Sequence, residues 1–396
     1  MVFRLLFSCL FLSFVVDRGI CQDSIILNLP PEEPEKEVTL SESGPWGQVE
    51  YYEIPLPPPD ESLDLITIPS QQTEWIFPNL TEDSAKSFLL DVGLNEEVIS
   101  SLFVAKGVFP DETGARLFPP DDIVFQLPAS VRSRVYPKLA VTSHNRFYAH
   151  PIYINDSNLS RWFQGSNLSE NTIRDIARLA YPTPSQKGFY LSDLPYLLRT
   201  TQTNQDEKIL LKAILRQHGL IVRLRITSET NIEELANYWT AGFKYKDIMP
   251  ILDSIAHTDG IDRLEIAHLL PPLPRMHLNT FPTPYDGMSG RFPDWFWTCY
   301  NFSRFSPIEI YADSENRDVV LSNEYYPVLP PFSFGDILVF RNGDRLVHGC
   351  VNIVDGIVFT KNSSDLFAPW IMMKREDVEA YHSNKGPFEV QGYRKR

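Results

Sequence analysis

An α+β fold is predicted by three features of the sequence. Apolar residues recur at helical spacing through much of residues 76–280. Beyond 281 a single helix is followed by short strands joined by Asn-Gly and Asp-Gly turns, and a proline- and acid-rich stretch precedes both regions. This reading divides the chain into residues 1–21, 22–75, 76–280 and 281–396. Hydrophobic content of 43% and charged content of 22% are those of a globular protein, and 396 residues allow two or three domains.

Residues 1–21 read as an export signal. Arg4 gives a thin positive start, residues 5–16 an apolar run, and Gly19-Ile20-Cys21 a small-x-small cleavage site before Gln22. A run of about 12 residues falls short of the ~20 that span a bilayer. Lipid attachment at Cys21 ranks below simple cleavage, because Arg18-Gly19-Ile20 match a lipid-attachment box poorly. No other segment reads as a membrane span, so the expected mature protein is secreted or periplasmic. Of four cysteines, Cys9 and Cys21 leave with the signal, and Cys299 and Cys350 remain.

Residues 22–75 carry Pro30-Pro31-Glu32-Glu33-Pro34 and later Pro55, Pro57, Pro58 and Pro59. Such composition buries little apolar surface and reads as an extended arm or linker, with residues 63–68 able to pack as an edge strand. In the middle region Asn95 looks like a helix cap ahead of Val98, Ile99, Leu102 and Phe103. Asn171 precedes a face of Ile173, Ile176 and Leu179. Residues 206–218 hold Ile209, Leu210, Ala213 and Ile214 in helical spacing, with Gly219 as the stop. Residues 220–226 alternate as a half-exposed strand, then helices follow over Ile232–Trp239 and 248–256. The middle region is therefore a mainly helical domain whose role the sequence leaves open.

Charge and histidine spacing exclude several functions. A net charge of −15 and a pI near 5.0 argue against nucleic-acid binding. His144, His150, His218, His257, His268 and His277 show no metal-ligand spacing, and no phosphate-binding glycine loop occurs, so neither a metal nor another cofactor is expected. Six Asn-x-Ser/Thr triplets stand at Asn79, Asn155, Asn158, Asn167, Asn301 and Asn362.

The chemistry-bearing motifs lie at the C-terminal end. Asp294 can cap a helix through Trp297, Thr298, Cys299 and Phe302; Gly335-Asp336 turns into a strand at 337–340. Asn342-Gly343 leads into a strand at 346–354 bearing Leu346-Val347-His348-Gly349-Cys350, and Asp355-Gly356 returns the chain through Ile357–Thr360 to Asn362. Residues 370–374 and 388–393 supply last strands, with a short helix at 376–381 between them.

Residues ~285–396 resemble the NlpC-type branch of the papain-like cell-wall peptidases. The resemblance rests on the Asp294-initiated helix, the Gly335-Asp336-Ile-Leu-Val-Phe strand, the His348-Gly349-x-Val-x-Ile strand and the terminal Gly392-Tyr-Arg-Lys strand. It implies a papain-like fold and metal-free cleavage of peptide or amide bonds, commonly in peptidoglycan stem peptides. In such chemistry a thiol at a helix N-terminus is activated by the dipole and a nearby imidazole, and a polar side chain on the other ring nitrogen fixes the tautomer. His348 fits the base. Asn362 or Thr360, on one strand face, fits the orienter. The position after Asp294, where the family has its cysteine, holds Trp295; Cys299 follows four residues later, about one turn or ~5–6 Å along the helix.

Two readings follow. One is a cysteine peptidase or amidase with nucleophile Cys299 and base His348. The other, which the displaced cysteine favours, is a catalytically degenerate binding or structural module, its partner being peptidoglycan or a peptide. Pairing of Cys299 with Cys350, or burial of both as small core residues, are the alternative fates of the thiols.

Overall fold

The computed structural model describes residues 37–65, 72–104, 114–241, 248–287, 292–383 and 386–396. The expected export signal, with Cys9 and Cys21, lies outside them. The chain is mixed α and β, compatible with the α+β class read from the sequence.

The first nine strands, in chain order, are β1 Thr39–Leu40, β2 Gln48–Leu56, β3 Trp75–Phe77, β4 Ala115–Leu117, β5 Ile152–Ile154, β6 Tyr181–Pro182, β7 Phe189–Leu191, β8 Gln217–Arg225 and β9 Arg263–Glu265. They form a four-stranded sheet ordered β1-β2-β8-β9 and two small sheets, β3-β4 and β5-β7-β6. The remaining strands are β10 Tyr325–Val328, β11 Ile337–Asn342, β12 Arg345–Val354, β13 Ile357–Thr360, β14 Ile371–Lys374 and β15 Glu389–Lys395. These build an antiparallel sheet ordered β10-β15-β11-β12-β13-β14. Asp355 and Gly356 both take positive φ (37° and 75°), as the two-residue turn between β12 and β13 requires.

Several helices start where their capping residues stand. Asn95 Oδ1 accepts from Val98 N at 2.8 Å, Asn231 Oδ1 from Glu234 N at 3.2 Å, and Asp294 Oδ1 from Trp297 N at 2.9 Å. The helix bearing Ile173 and Ile176 is capped two residues before Asn171, because the Ser169 hydroxyl accepts from Thr172 N. The helix Asn204–Ile214 ends before its expected stop, and Gly219 lies inside β8.

The N-terminal stretch differs from an extended arm. Gln48–Leu56 pairs with β8 along its whole length, from Gln48 opposite Arg225 to Leu56 opposite Gln217. Neighbouring prolines masked this strand in the sequence. Val49 is fully buried, and the buried Glu50 carboxylate is held by Arg263 at 2.7 Å. Of the stretch expected as an edge strand, Leu63 ends a short helix, Asp60–Leu63, and residues 66–68 lie outside the described residues.

The core is not divided at residue 280. One hydrophobic cluster takes in Val49, Leu220, Leu224 and Trp239 together with Phe296, Val351 and Trp370. Backbone pairing crosses the same point: Asn279 N donates to Trp370 O at 2.7 Å, and Trp370 N donates to Thr280 O at 3.0 Å. A second cluster gathers Trp75, Leu89, Leu102, Tyr136 and their neighbours, and a third surrounds Ile154, Trp162, Leu179 and Leu210. Arg132 is fully buried in this helical region. Its guanidinium meets Asp193 and donates to the Val124 and Arg178 carbonyls, which satisfies most of its donors.

Candidate functional site

The helix Trp295–Asn301 is entirely buried and lies against β12. Asp294 caps it, forms an ion pair with Arg317, and is raised above its usual carboxyl range chiefly by burial. The Arg317 guanidinium in turn sits 5.3 Å from the Trp295 ring centre and 4.8 Å from that of Phe296.

Strand pleating decides what the helix faces. A Cβ on Gly349 would lie 2.7 Å from the Trp295 ring and 3.5 Å from Cys299 Sγ, so this side of β12 is the side the helix covers. Successive side chains alternate, and His348 and Cys350 therefore point to the opposite side. Their neighbours agree. His348 packs against Phe340, its cross-strand partner, and stacks on His382 with ring centres 4.0 Å apart; Cys350 clusters with Leu338, Val358 and Val378.

Cys299 thus lies on the side of β12 that the helix covers, and His348 points to the other side. The cysteine is buried, and burial pushes its thiol well above the usual value, with Cys350 and Asp294 adding to the rise. It also occupies the last turn of the helix: its carbonyl accepts the Phe302 amide at 3.3 Å. There the dipole opposes a thiolate. Cys350 is likewise buried and raised, and both cysteines are free. The sheet stands between the two thiols.

The expected base and orienter are brought together. His348 Nε2 lies 2.9 Å from Thr360 Oγ1, and the Thr360 hydroxyl donates to Asn362 Oδ1 at 3.3 Å. The Thr360 hydroxyl thus stands between the imidazole and the Asn362 amide. Thr360 is the direct partner, and Asn362 the second link. The Trp295 ring centre lies 5.4 Å from that of His348.

Two motifs far apart in sequence prove to be one structure. Arg394 Nε and Nη2 donate to Asp336 Oδ1 and Oδ2, both at 2.7 Å, and Nη2 also reaches Ser333 Oγ at 2.8 Å. Gly-Asp and the terminal Gly-Tyr-Arg-Lys thus tie β15 to the start of β11. Beside this tie, on the Cys299 side of the sheet, opens a cleft of about 530 Å³ lined by Tyr238, Cys299, Phe302, Phe334, Asp336 and Arg394 among others. This is within the usual range for small-ligand clefts.

Some participants had no sequence signal. His382 follows a short helix whose pattern gives no hint that its ring will stack on His348. Lys361, between Thr360 and Asn362, is fully buried, donates to the Ser363 and Asp365 carbonyls, and is lowered to about 8 by burial. Tyr238, from the middle region, joins the cleft and donates to the Ile353 carbonyl at 2.6 Å. Two glycosylation triplets fall on buried asparagines, Asn301 and Asn362.

Among the described residues no group of three or more His, Cys, Asp or Glu is arranged to hold a metal ion, and no helix is long and apolar enough to cross a membrane. Comparison with protein-family models, curated proteins and solved structures gave no match.

Proposed function

We propose that this chain is an exported, non-catalytic binding or structural module whose C-terminal part is similar to NlpC-type papain-like peptidases and whose partner is peptidoglycan or a peptide. The observation that carries the reading is Trp295. It stands where the family has its nucleophile, its ring beside His348 and pressed on Gly349. The His348–Thr360 pair supports the resemblance, since a base held through Nε2 is half of a thiol-hydrolase site. The cleft beside Tyr238 and Phe334 offers aromatic walls to a bound peptide.

Co-sedimentation with intact cell-wall sacculi tests this function. Retention of the wild type, equal in His348→Ala, supports it; release of stem peptides that disappears in His348→Ala overturns it.

The second reading, a cysteine peptidase or amidase using Cys299 and His348 with Thr360 and Asn362, draws on the same His348–Thr360 bond. It requires the Cys299 thiol to reach His348 across β12, rapid alkylation of Cys299 in the folded protein, and loss of turnover in Cys299→Ala.

A further inference from the structure

Among the described residues Arg216 is a buried cation with no paired carboxylate, its guanidinium meeting only the Trp162 and Phe163 rings and one carbonyl. It is 4% exposed, and its Nη1 donates to the Gln164 carbonyl across a long 3.4 Å. Among the described residues its Nε and Nη2, both buried, meet no acceptor, and no carboxylate pairs with it. Burial alone lowers it to about 10. This contrasts with Arg132, whose buried guanidinium has Asp193 and three carbonyls around it. A buried charge left uncompensated is strongly destabilising.

Two more unsatisfied nitrogens belong to the rings of Trp162 and His218, which stack on one another next to Arg216. The guanidinium carbon of Arg216 is 5.9 Å from the Trp162 ring centre, and the His218 ring stacks on the same indole at 4.2 Å and 17°. Among the described residues neither Trp162 Nε1 nor His218 Nε2, both buried, has a partner. The other imidazole nitrogen, Nδ1, lies 3.5 Å from Glu53 Oε2, and the hydrogen bond with His218 lowers Glu53 below its usual range. With Nδ1 turned to the Glu53 carboxylate, Nε2 is the ring nitrogen left for a further hydrogen bond. Nε and Nη2 of an arginine form the side-on fork that matches two oxygens of one anion.

We propose that Arg216, Trp162 and His218 form a binding site for a small oxyanion, a carboxylate or phosphate-type group, held on the Arg216 fork. The site lies at the start of β8 and on the helix Leu159–Trp162, away from the His348 site, and does not depend on the function proposed for it. The ligand supplies the negative charge and the acceptors that the surrounding protein withholds.

Isothermal titration of the full chain with inorganic phosphate and with acetate, at constant ionic strength made up with chloride, tests the site. Saturable binding of at least one is expected, with phosphate and acetate affinities separating a tetrahedral from a planar anion. Arg216→Met should weaken it at least tenfold. Arg216→Lys keeps the charge without the fork and should also weaken it, and Trp162→Phe, which keeps the stacking ring but removes Nε1–H, should weaken it severalfold. Absence of saturable binding to the wild type overturns the proposal. So does undiminished binding in Arg216→Met or, should that variant not fold, in both Arg216→Lys and Trp162→Phe.

Discussion

Asp336 and Arg394 meet in two parallel hydrogen bonds of 2.7 Å, joining residues 58 positions apart. The carboxylate is almost wholly buried, and its Oδ2 also accepts from Ser333 N at 2.7 Å. Asp336→Asn keeps the size but replaces an acceptor with a donor facing the guanidinium. Loss of a charged hydrogen-bond pair predicts destabilisation of about 2–3 kcal/mol, measured by urea unfolding. A change within a few tenths would mean the pair contributes little.

Trp295 makes a second prediction. Trp295→Cys puts a thiol at the start of the helix, while Cys299 stays in its last turn. Iodoacetamide should label position 295 in the folded variant well before Cys299, and in the wild type Cys299 and Cys350 should label only as the protein unfolds. Truncating a buried indole should also cost about 3–5 kcal/mol. Equal labelling of both positions would refute the arrangement of the helix on β12.

Gly349 is there because nothing larger fits. The added methyl of Gly349→Ala would lie 2.7 Å from the Trp295 ring. Overpacking of this kind predicts a loss of about 1–3 kcal/mol. In Gly349→Ala/Trp295→Phe the smaller ring should recover part of it, giving a favourable coupling in a double-mutant cycle. Simple additivity would place Trp295 elsewhere.

Lys361 gives a prediction in pH. Burial lowers it from 10.5 to about 8, so between these values the unfolded chain binds more protons than the folded one. Stability from this group therefore rises with pH across that window and is lowest below it. Going from about pH 7.5 to about pH 9.5, the wild type should gain about 2 kcal/mol relative to Lys361→Met, read as the difference between their urea unfolding free energies. A difference independent of pH would show the amine to be solvated.

Local signals were legible where chemistry is local. Asn95, Asn231 and Asp294 cap the helices that their positions suggested, and Asp355-Gly356 makes its hairpin. Long-range pairing was not. Prolines at 55 and 57–59 hid a strand whose alternation is carried by Val49 and its register with β8. That His348 would meet Thr360 or Asn362 was legible because two hairpins set the register, but which of the two, being on one strand face, was not. The position of Cys299 was not, since one residue of strand phase decides which side of β12 a neighbour occupies. Arg216 was invisible for a different reason: an arginine ahead of a strand looks like an ordinary surface cation until its burial is known.

The pairing of Asn279 and Thr280 with Trp370 bears on dissection of the gene. A fragment beginning at 281 would lack both backbone partners of Trp370, and with them Val49, Leu220 and Trp239 from its own packing. Its exposed apolar surface would favour inclusion bodies over a soluble product. Binding assays therefore call for the full chain as one piece, and limited proteolysis would find no durable stopping point near 280.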